Sequence, residues 1–430
     1  MTLGALAVLL LVLITFGVPI LLVMGIVGLA GILATPSLVP ALFPQKMFAM
    51  LDNFSLLALP YFILAGELIS AGGISKRLVE FAETAVGHWK GGLGHASVVS
   101  SMVFAGVSGS SVADTSAIGS ILVPAMKTHG YKPGFAASLV ACAGTIGAII
   151  PPSMTMIVYG SMANVSIGGL FLGGIVPGIL IGIGLMVVIR LYALSAAFPE
   201  LRRTTGSFQW RSVVGATGRV WPALLAPVIV VGGILSGAFT ATEAGVVACF
   251  YGFAIGFFVY RKLRLSDLPH IFVRAAVTTA MVSGIIGVAG ALGWLLSYLN
   301  FNDVVLNLIA HVTGEKLGVM MLLVGIMLLL TMFIDSMAIL IIMIPVAVTV
   351  GRTYGIDEFQ LGLMMVMATQ IGSTTPPVAV LLFVATSIAG CRYSETIRYC
   401  WAFIVAEVLV LLAVILIPAL AASIPHHFLG

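Results

Sequence analysis

Long apolar runs broken by short polar punctuation dominate the chain, at a spacing near 20 residues rather than the two-residue alternation of a half-buried strand. The first 34 residues are almost unbroken apolar sequence, which excludes the ~10-residue alternating segments of a membrane β-barrel. Taken against charges, glycines and prolines, the runs predict ten spans, at 3–18, 20–36, 47–72, 133–163, 168–190, 220–237, 242–260, 271–299, 358–390 and 398–422. Two more apolar stretches, 93–126 and 317–350, are interrupted at their middle, by Ser108-Gly-Ser-Ser-Val-Ala-Asp114-Thr-Ser116 and by Asp335-Ser336. Each arm of such a stretch has about 12–16 residues, short for a ~30 Å hydrocarbon core. Both read as re-entrant helical hairpins, because irregular backbone at membrane depth is tolerated where protein or a wet cavity surrounds it.

Charge tests this map. With both hairpins re-entrant, one side of the membrane receives Lys76, Arg77, Lys90, Lys127, Lys132, Arg190, Arg202, Arg203, Arg211, Arg219, Arg261, Lys262, Arg264, Arg274, Arg392 and Arg398. The other receives only Lys46, Lys316 and Arg352. That asymmetry marks the first side as cytoplasmic and puts both termini outside. Composition agrees: of 430 residues 60% are apolar and 8% charged, with mean hydropathy +1.20, against about 25% charged in soluble domains. A net charge of +4 gives no argument for nucleic acid. The four cysteines, Cys142, Cys249, Cys391 and Cys400, lack ligand-like spacing and read as small packing residues.

The sequence repeats itself. Asp114-Thr-Ser-Ala-Ile-Gly-Ser-Ile-Leu-Val-Pro124 aligns with Asp335-Ser-Met-Ala-Ile-Leu-Ile-Ile-Met-Ile-Pro345, and Ile146-Gly-Ala-Ile-Ile-Pro-Pro152 aligns with Ile371-Gly-Ser-Thr-Thr-Pro-Pro377. Five predicted crossings separate the hairpins, an odd number, so the two copies are expected to be inverted. Paired interrupted segments of this kind point to a transporter's binding site.

The chemistry at these places is that of oxygen. Proline cannot bond the carbonyl four residues back. Pro151 and Pro152 therefore free the carbonyls of Gly147 and Ala148, and Pro376 and Pro377 those of Gly372 and Ser373. Hydroxyls cluster nearby at Ser108, Ser110, Ser111, Thr115, Ser116, Thr374 and Thr375. An oxygen-only donor set suits a hard cation such as Na⁺. Half-helix N-termini near Ser111 and Asp335 suit an anion. Asp114 and Asp335 read as N-caps of the second hairpin arms, and Glu67, Glu243 and Glu407 as helix-end or interface residues. Enzyme motifs are missing apart from Gly106-Val-Ser108-Gly109, the form used by intramembrane serine proteases. That reading needs a histidine base beside Ser108. His95 and His311 sit at predicted segment ends, and the other histidines lie in loops or tails.

The Gly106–Gly119 tip, the Val123-Pro-Ala-Met-Lys-x-x-Gly-Tyr131 that follows it, and Gly372-Ser-Thr-Thr-Pro-Pro377 resemble the large membrane subunit of tripartite ATP-independent periplasmic (TRAP) transporters. The resemblance runs over essentially the whole chain. It implies no enzyme but a Na⁺-coupled secondary transporter of the bacterial inner membrane, importing an organic anion such as a C4-dicarboxylate or sialic acid. It also implies two partners, a periplasmic solute-binding protein and a small four-helix membrane subunit carried on a separate chain. An elevator architecture follows from the same likeness. The transport domain would comprise 93–195 and 315–392; the scaffold would comprise 1–92, 196–314 and a C-terminal helix within 393–430. One Na⁺ site would lie among Ser108, Gly109, Ser110, Gly144 and Gly147, and another among Thr331, Asp335, Gly372 and Ser373. Substrate would sit near Ser111, Thr115, Thr374 and Thr375. A stand-alone Na⁺- or H⁺-coupled carboxylate carrier is the alternative, and the Ser108 protease a remote one.

Overall fold

The structure is a computed structural model and describes residues 3–196, 198–202 and 209–429. Arg203 and both chain ends, whose sidedness the charge pattern predicts, lie outside the described residues. The described chain is helical throughout: α1 (Leu3–Thr15), α2 (Ile20–Leu33), α3 (Leu42–Leu51), α4 (Ala58–Ala71), α5 (Ile74–Val86), α6 (Gly92–Ser108), α7 (Ser111–Thr128), α8 (Pro133–Thr145), α9 (Met154–Ala163), α10 (Ile167–Leu194), α11 (Trp210–Leu235), α12 (Ala241–Ala254), α13 (Leu268–Tyr298), α14 (Phe301–Val312), α15 (Lys316–Thr331), α16 (Ser336–Thr353), α17 (Glu358–Gly372), α18 (Val380–Ala389), α19 (Tyr393–Leu416) and α20 (Ala419–Leu429).

A polytopic all-α membrane protein is what the apolar runs predict, and the helices bear it out. By length and composition, seven described helices can cross a membrane, or eight if α14 and α15, bent by 114°, form one span. The count differs from ten because α1, α2 and the half-helices each fall short on their own. Three boundaries also differ. The run 47–72 is not one helix: Asp52 and Asn53 interrupt it, and the Asn53 side chain accepts from Ser55 N at 2.9 Å to start a new turn. The runs 133–163 and 358–390 are each two half-helices, α8 with α9 and α17 with α18, parted at the double prolines. Three of the four hairpin arms are longer than expected, 17 and 18 residues in α6 and α7 and 18 in α16, while α15 has 16.

The same series of elements occurs twice. Ser111 and Ser336 open the second hairpin arms, Thr128 and Thr353 close them, and Pro151 and Pro376 follow, every pair 225 residues apart. The alignment of Asp114 with Asp335 is therefore four residues out of register. A slip of four is close to one 3.6-residue turn and keeps the same helix face, so the apolar pattern matches almost as well. In the structural register the counterpart of Asp335 is Ser110, and both are N-caps. Asp114 is not a cap: it stands one turn inside α7, and Ser110 Oγ takes the Ala113 amide at 3.4 Å instead.

Packing gathers the helices into two sets that meet where α5 packs on α6 and α7, α4 on α6 and α9, α11 on α6, and α13 on α16. In one, α13 packs on α2, α3 and α4, α12 on α4, and α11 on α5 and α12. The other is built round α8 and α17, in which every residue after the first is buried. Such helices, apolar or small all round, are core elements. Around them lie α6, α7, α9, α10, α15, α16 and α18. The C-terminal span, expected with the scaffold, belongs here. Helix α19 packs on α8, α10, α17 and α18, and α20 on α10 and α17. It follows the second series of elements as α10 follows the first.

Gln360 of α17 fixes that attachment, donating through Nε2 to Val414 O at 2.9 Å and Ile415 O at 3.0 Å. Gln360→Ala leaves two carbonyls at the end of α19 without these donors. We expect it to cost about 1–3 kcal/mol, read as a lower thermal midpoint of the purified protein; an unchanged midpoint would argue against the clamp.

Candidate functional site

Each hairpin tip meets a helix break. Gly109 turns the chain between α6 and α7 at φ +66°, a left-handed conformation that glycine adopts without a Cβ clash. Its carbonyl accepts from Met154 N beyond the first break at 3.2 Å. At the other tip, Met332 O accepts from Val378 N within the second break, also at 3.2 Å. Each tip thus supplies the acceptor that an interrupted helix lacks.

At the first tip the Ser108 hydroxyl donates to Asp114 Oδ1. Asp114 is fully buried, and its Oδ2 has no hydrogen-bond partner; neither does the buried Thr115 Oγ1. These two oxygens face Gly147 and Gly144, where any Cβ would collide with Asp114 Oδ2 and Thr115 Oγ1 and stand 3.2 Å from Ser110 O and 3.1 Å from Ser111 O. A buried carboxylate oxygen, a hydroxyl and two carbonyls beside a glycine-lined wall form a cradle whose donor set fits a hard cation. Among the described residues no cluster of three His, Cys, Asp or Glu exists that would suit a softer metal.

The freed carbonyls play a smaller part than the prolines suggest. Ala148 O accepts from Ser153 Oγ at 2.5 Å and Thr155 Oγ1 at 3.1 Å. Gly372 O accepts from Thr375 N at 3.0 Å and Ser373 O from Leu381 N at 3.1 Å. Both Pro151-Pro152 and Pro376-Pro377 are cis. At the second tip, Thr331 Oγ1 bonds Met327 O at 2.7 Å and faces Gly372, where a Cβ would strike it. Asp335 caps α16, accepting from Met337 N at 3.0 Å and Ala338 N at 3.2 Å.

Between the tips lies a cavity of about 230 Å³. Its polar lining comes from Ser110, Ser111, Thr155, Thr278, Asp335, Ser336, Gln370 and Ser373. None of its lining residues is Lys, Arg or His. The N-termini of α7 and α16 both open on it, at Ser111-Val112 and Ser336-Met337. The Ser111 hydroxyl donates to Gln370 Oε1 at 2.6 Å, joining the first tip to the second broken helix.

Of the four residues placed near substrate by resemblance, Ser111 alone lines this cavity. Thr115 is buried beside Gly144. Thr374 and Thr375 turn their hydroxyls back to Ile371 O, at 2.8 and 2.7 Å, a carbonyl that also accepts from Thr374 N at 3.1 Å in the turn after α17. Of the residues assigned to ions, Gly109, Ser110, Asp335 and Ser373 line it, while Ser108, Gly144, Gly147, Thr331 and Gly372 form the walls behind.

Sequence reasoning missed Gln370, Ser336, Thr155, Thr278 and Glu407. A lone polar residue inside a long apolar run was the available signal for Gln370 and Glu407. Glu67 pairs with Arg274 at 3.3 Å and Glu243 closes a capping box with Thr240, but Glu407 is at neither an end nor an interface. It is fully buried midway along α19. Ser108 has Asp114 as its partner and not a histidine, so the protease reading has no general base.

The family model for the DctM component of tripartite ATP-independent periplasmic transporters matches residues 7–420. The chain belongs to this family. It is 37% identical to the C4-dicarboxylate TRAP transporter large permease protein DctM of Pseudomonas aeruginosa, over 89% of this chain and 88% of that one. It is 33% identical to the sialic acid large permease SiaM of Vibrio cholerae, over 96% of both. With the isethionate permease DctMQ of Oleidesulfovibrio alaskensis it shares 36% identity over 96% of its own length, but spans only 64% of that longer protein. The solved structure of Neisseria gonorrhoeae MtrF, from a class of antimetabolite efflux pumps, shares the fold at TM-score 0.55 and 13% identity, covering 86% of this chain and 82% of that one. The protein is accordingly a transporter permease of the bacterial inner membrane and not an enzyme.

Gly147→Leu and Gly372→Leu push a side chain into Asp114 and Thr331. Each is expected to abolish substrate uptake in cells while the chain still inserts. Gly325→Ala, with nothing within 4 Å, should leave uptake intact. Full uptake in both leucine variants would contradict a working role for the tip–break contacts.

Proposed function

We propose that this TRAP large permease imports a small organic anion, carboxylate in class, in symport with Na⁺. The observation that carries the reading is the cavity between the two tips. An anion entering it meets two helix N-termini and hydroxyl donors but no basic side chain, and Asp335 adds negative charge. Bound cations beside the tips would supply the missing positive charge, so that anion and cation bind well only together. The first ion would lie against Ser108, Gly109, Ser110, Gly144 and Gly147, with the buried Asp114 carboxylate as its charged neighbour. The second would lie near Thr331, Asp335, Gly372 and Ser373. Ser111, Ser336, Gln370 and Ser373 are the groups placed to meet the anion.

The relatives named for C4-dicarboxylates, sialic acid and 2,3-diketo-L-gulonate support a carboxylate cargo. Family membership implies a periplasmic binding protein and a small membrane subunit, here taken to be of four helices. The repeated elements support an inverted pair, and in an elevator the group round α8 and α17 would move along the faces where α4, α5, α11 and α13 meet it.

A thermal-shift panel of carboxylates on the cognate binding protein identifies the cargo, and proteoliposomes then test coupling. With this chain and the small subunit reconstituted and loaded binding protein outside, uptake should follow an inward Na⁺ gradient and stop when K⁺ replaces Na⁺. Unchanged uptake in K⁺ would exclude sodium coupling. Equal uptake by this chain alone, without either partner, would favour the stand-alone carrier.

A further inference from the structure

One buried carboxyl takes no part in the cavity. Glu407 lies in the 24-residue apolar helix α19, with no exposure, yet each of its oxygens meets a different broken helix. Oε1 is 2.7 Å from Thr145 Oγ1, at the last residue of α8 before the first break. Oε2 is 3.5 Å from Thr374 Oγ1, inside the second break. No other side chain in the described hydrogen bonds touches both breaks.

Counting protons identifies what this link is. A threonine hydroxyl donates one hydrogen. Thr145 Oγ1 is also 2.7 Å from Cys142 O, and Thr374 Oγ1 is 2.8 Å from Ile371 O. An ionised Glu407 would set its two oxygens and Cys142 O against the two hydroxyl hydrogens, while Ile371 O already accepts from Thr374 N and Thr375 Oγ1. A neutral acid donates its own hydrogen to Thr145 Oγ1, which frees Thr145 to bond Cys142 O, and the Thr374 hydroxyl, which Ile371 O does not need, donates to Glu407 Oε2.

We propose that Glu407 is a positioning residue, a hydrogen-bonding strut that ties the two helix breaks to one another and so sets both ion cradles in a common geometry. It acts as a donor and acceptor rather than as a charge, and a glutamine can replace it. The strut itself rests on contacts alone; its effect on ion binding rests on the sodium reading above.

The test uses the chain purified with its small membrane subunit. Hydrogen exchange is followed by mass spectrometry in segments 146–153 and 374–379, and ²²Na⁺ binding is measured on the same samples. Glu407→Leu should speed exchange in both segments about tenfold or more and raise the half-saturating ²²Na⁺ concentration. Glu407→Gln should restore both readouts to within about twofold of wild type, since its amide can donate to Thr145. Faster exchange in one segment only, or in neither, overturns the strut. So does a glutamine variant as damaged as the leucine variant, which would mean that the charge matters. If Glu407→Leu does not assemble, Thr145→Val probes the same link. It should loosen 374–379, a segment with which Thr145 shares no direct hydrogen bond, and no change there overturns the proposal. Wild-type protein that binds no ²²Na⁺ would remove the sodium reading and leave the exchange result to decide the strut.

Discussion

An apolar slab offers no water to a broken helix, and every backbone group left open there costs several kcal/mol. This chain interrupts two of its most deeply buried helices and covers each gap with the tip of a hairpin. The Met154 amide on Gly109 O and the Val378 amide on Met332 O are the plainest form of that arrangement. Close approach at Gly144, Gly147 and Gly372 makes it possible, because a Cβ at any of them would occupy the space of Thr115, Asp114 or Thr331. Cradle, cavity and paired N-termini all depend on those contacts.

The arrangement explains why polar residues sit so deep. Asp114 is held by Ser108 and keeps one oxygen unpartnered toward Gly147. Ser111 reaches across to Gln370, and Glu407 spans the gap between Thr145 and Thr374. These groups join elements hundreds of residues apart in sequence, so the two halves of the site are one structure. The helices that carry them pack round α8 and α17, and α4 and α13 border them through α6, α9 and α16.

Much of this is legible in the chain. Apolar runs locate the helices, the double prolines mark both breaks, and the Ser-Gly-Ser-Ser stretch marks the first tip. The second tip is less visible because Thr331-Met-Phe-Ile-Asp-Ser336 has fewer hydroxyls and its backbone does more of the bonding. Repeat register was lost by one turn, since a four-residue slip preserves helix face, and Asp114 was thereby mistaken for a cap. Direction is what a linear reading cannot supply. Thr374 and Thr375 are hydroxyls at the right place in the sequence, yet they turn back to Ile371. Gln370 and Glu407 are single polar letters in apolar runs, and their partners lie 259 and 262 residues away.

The proposed sodium coupling requires the main chain to leave helix at two matched places and, with a hairpin tip, to enclose an ion there. An electron cryomicroscopy map of the complete assembly, prepared once in Na⁺ and once in K⁺, tests it most directly. The account predicts interrupted backbone at 146–153 and 373–379 in both maps. It also predicts a density enclosed by oxygens beside Asp114 and Gly147 in Na⁺ that is missing in K⁺. Continuous hydrogen-bonded helix through either double proline, or no difference between the maps at that place, would contradict it.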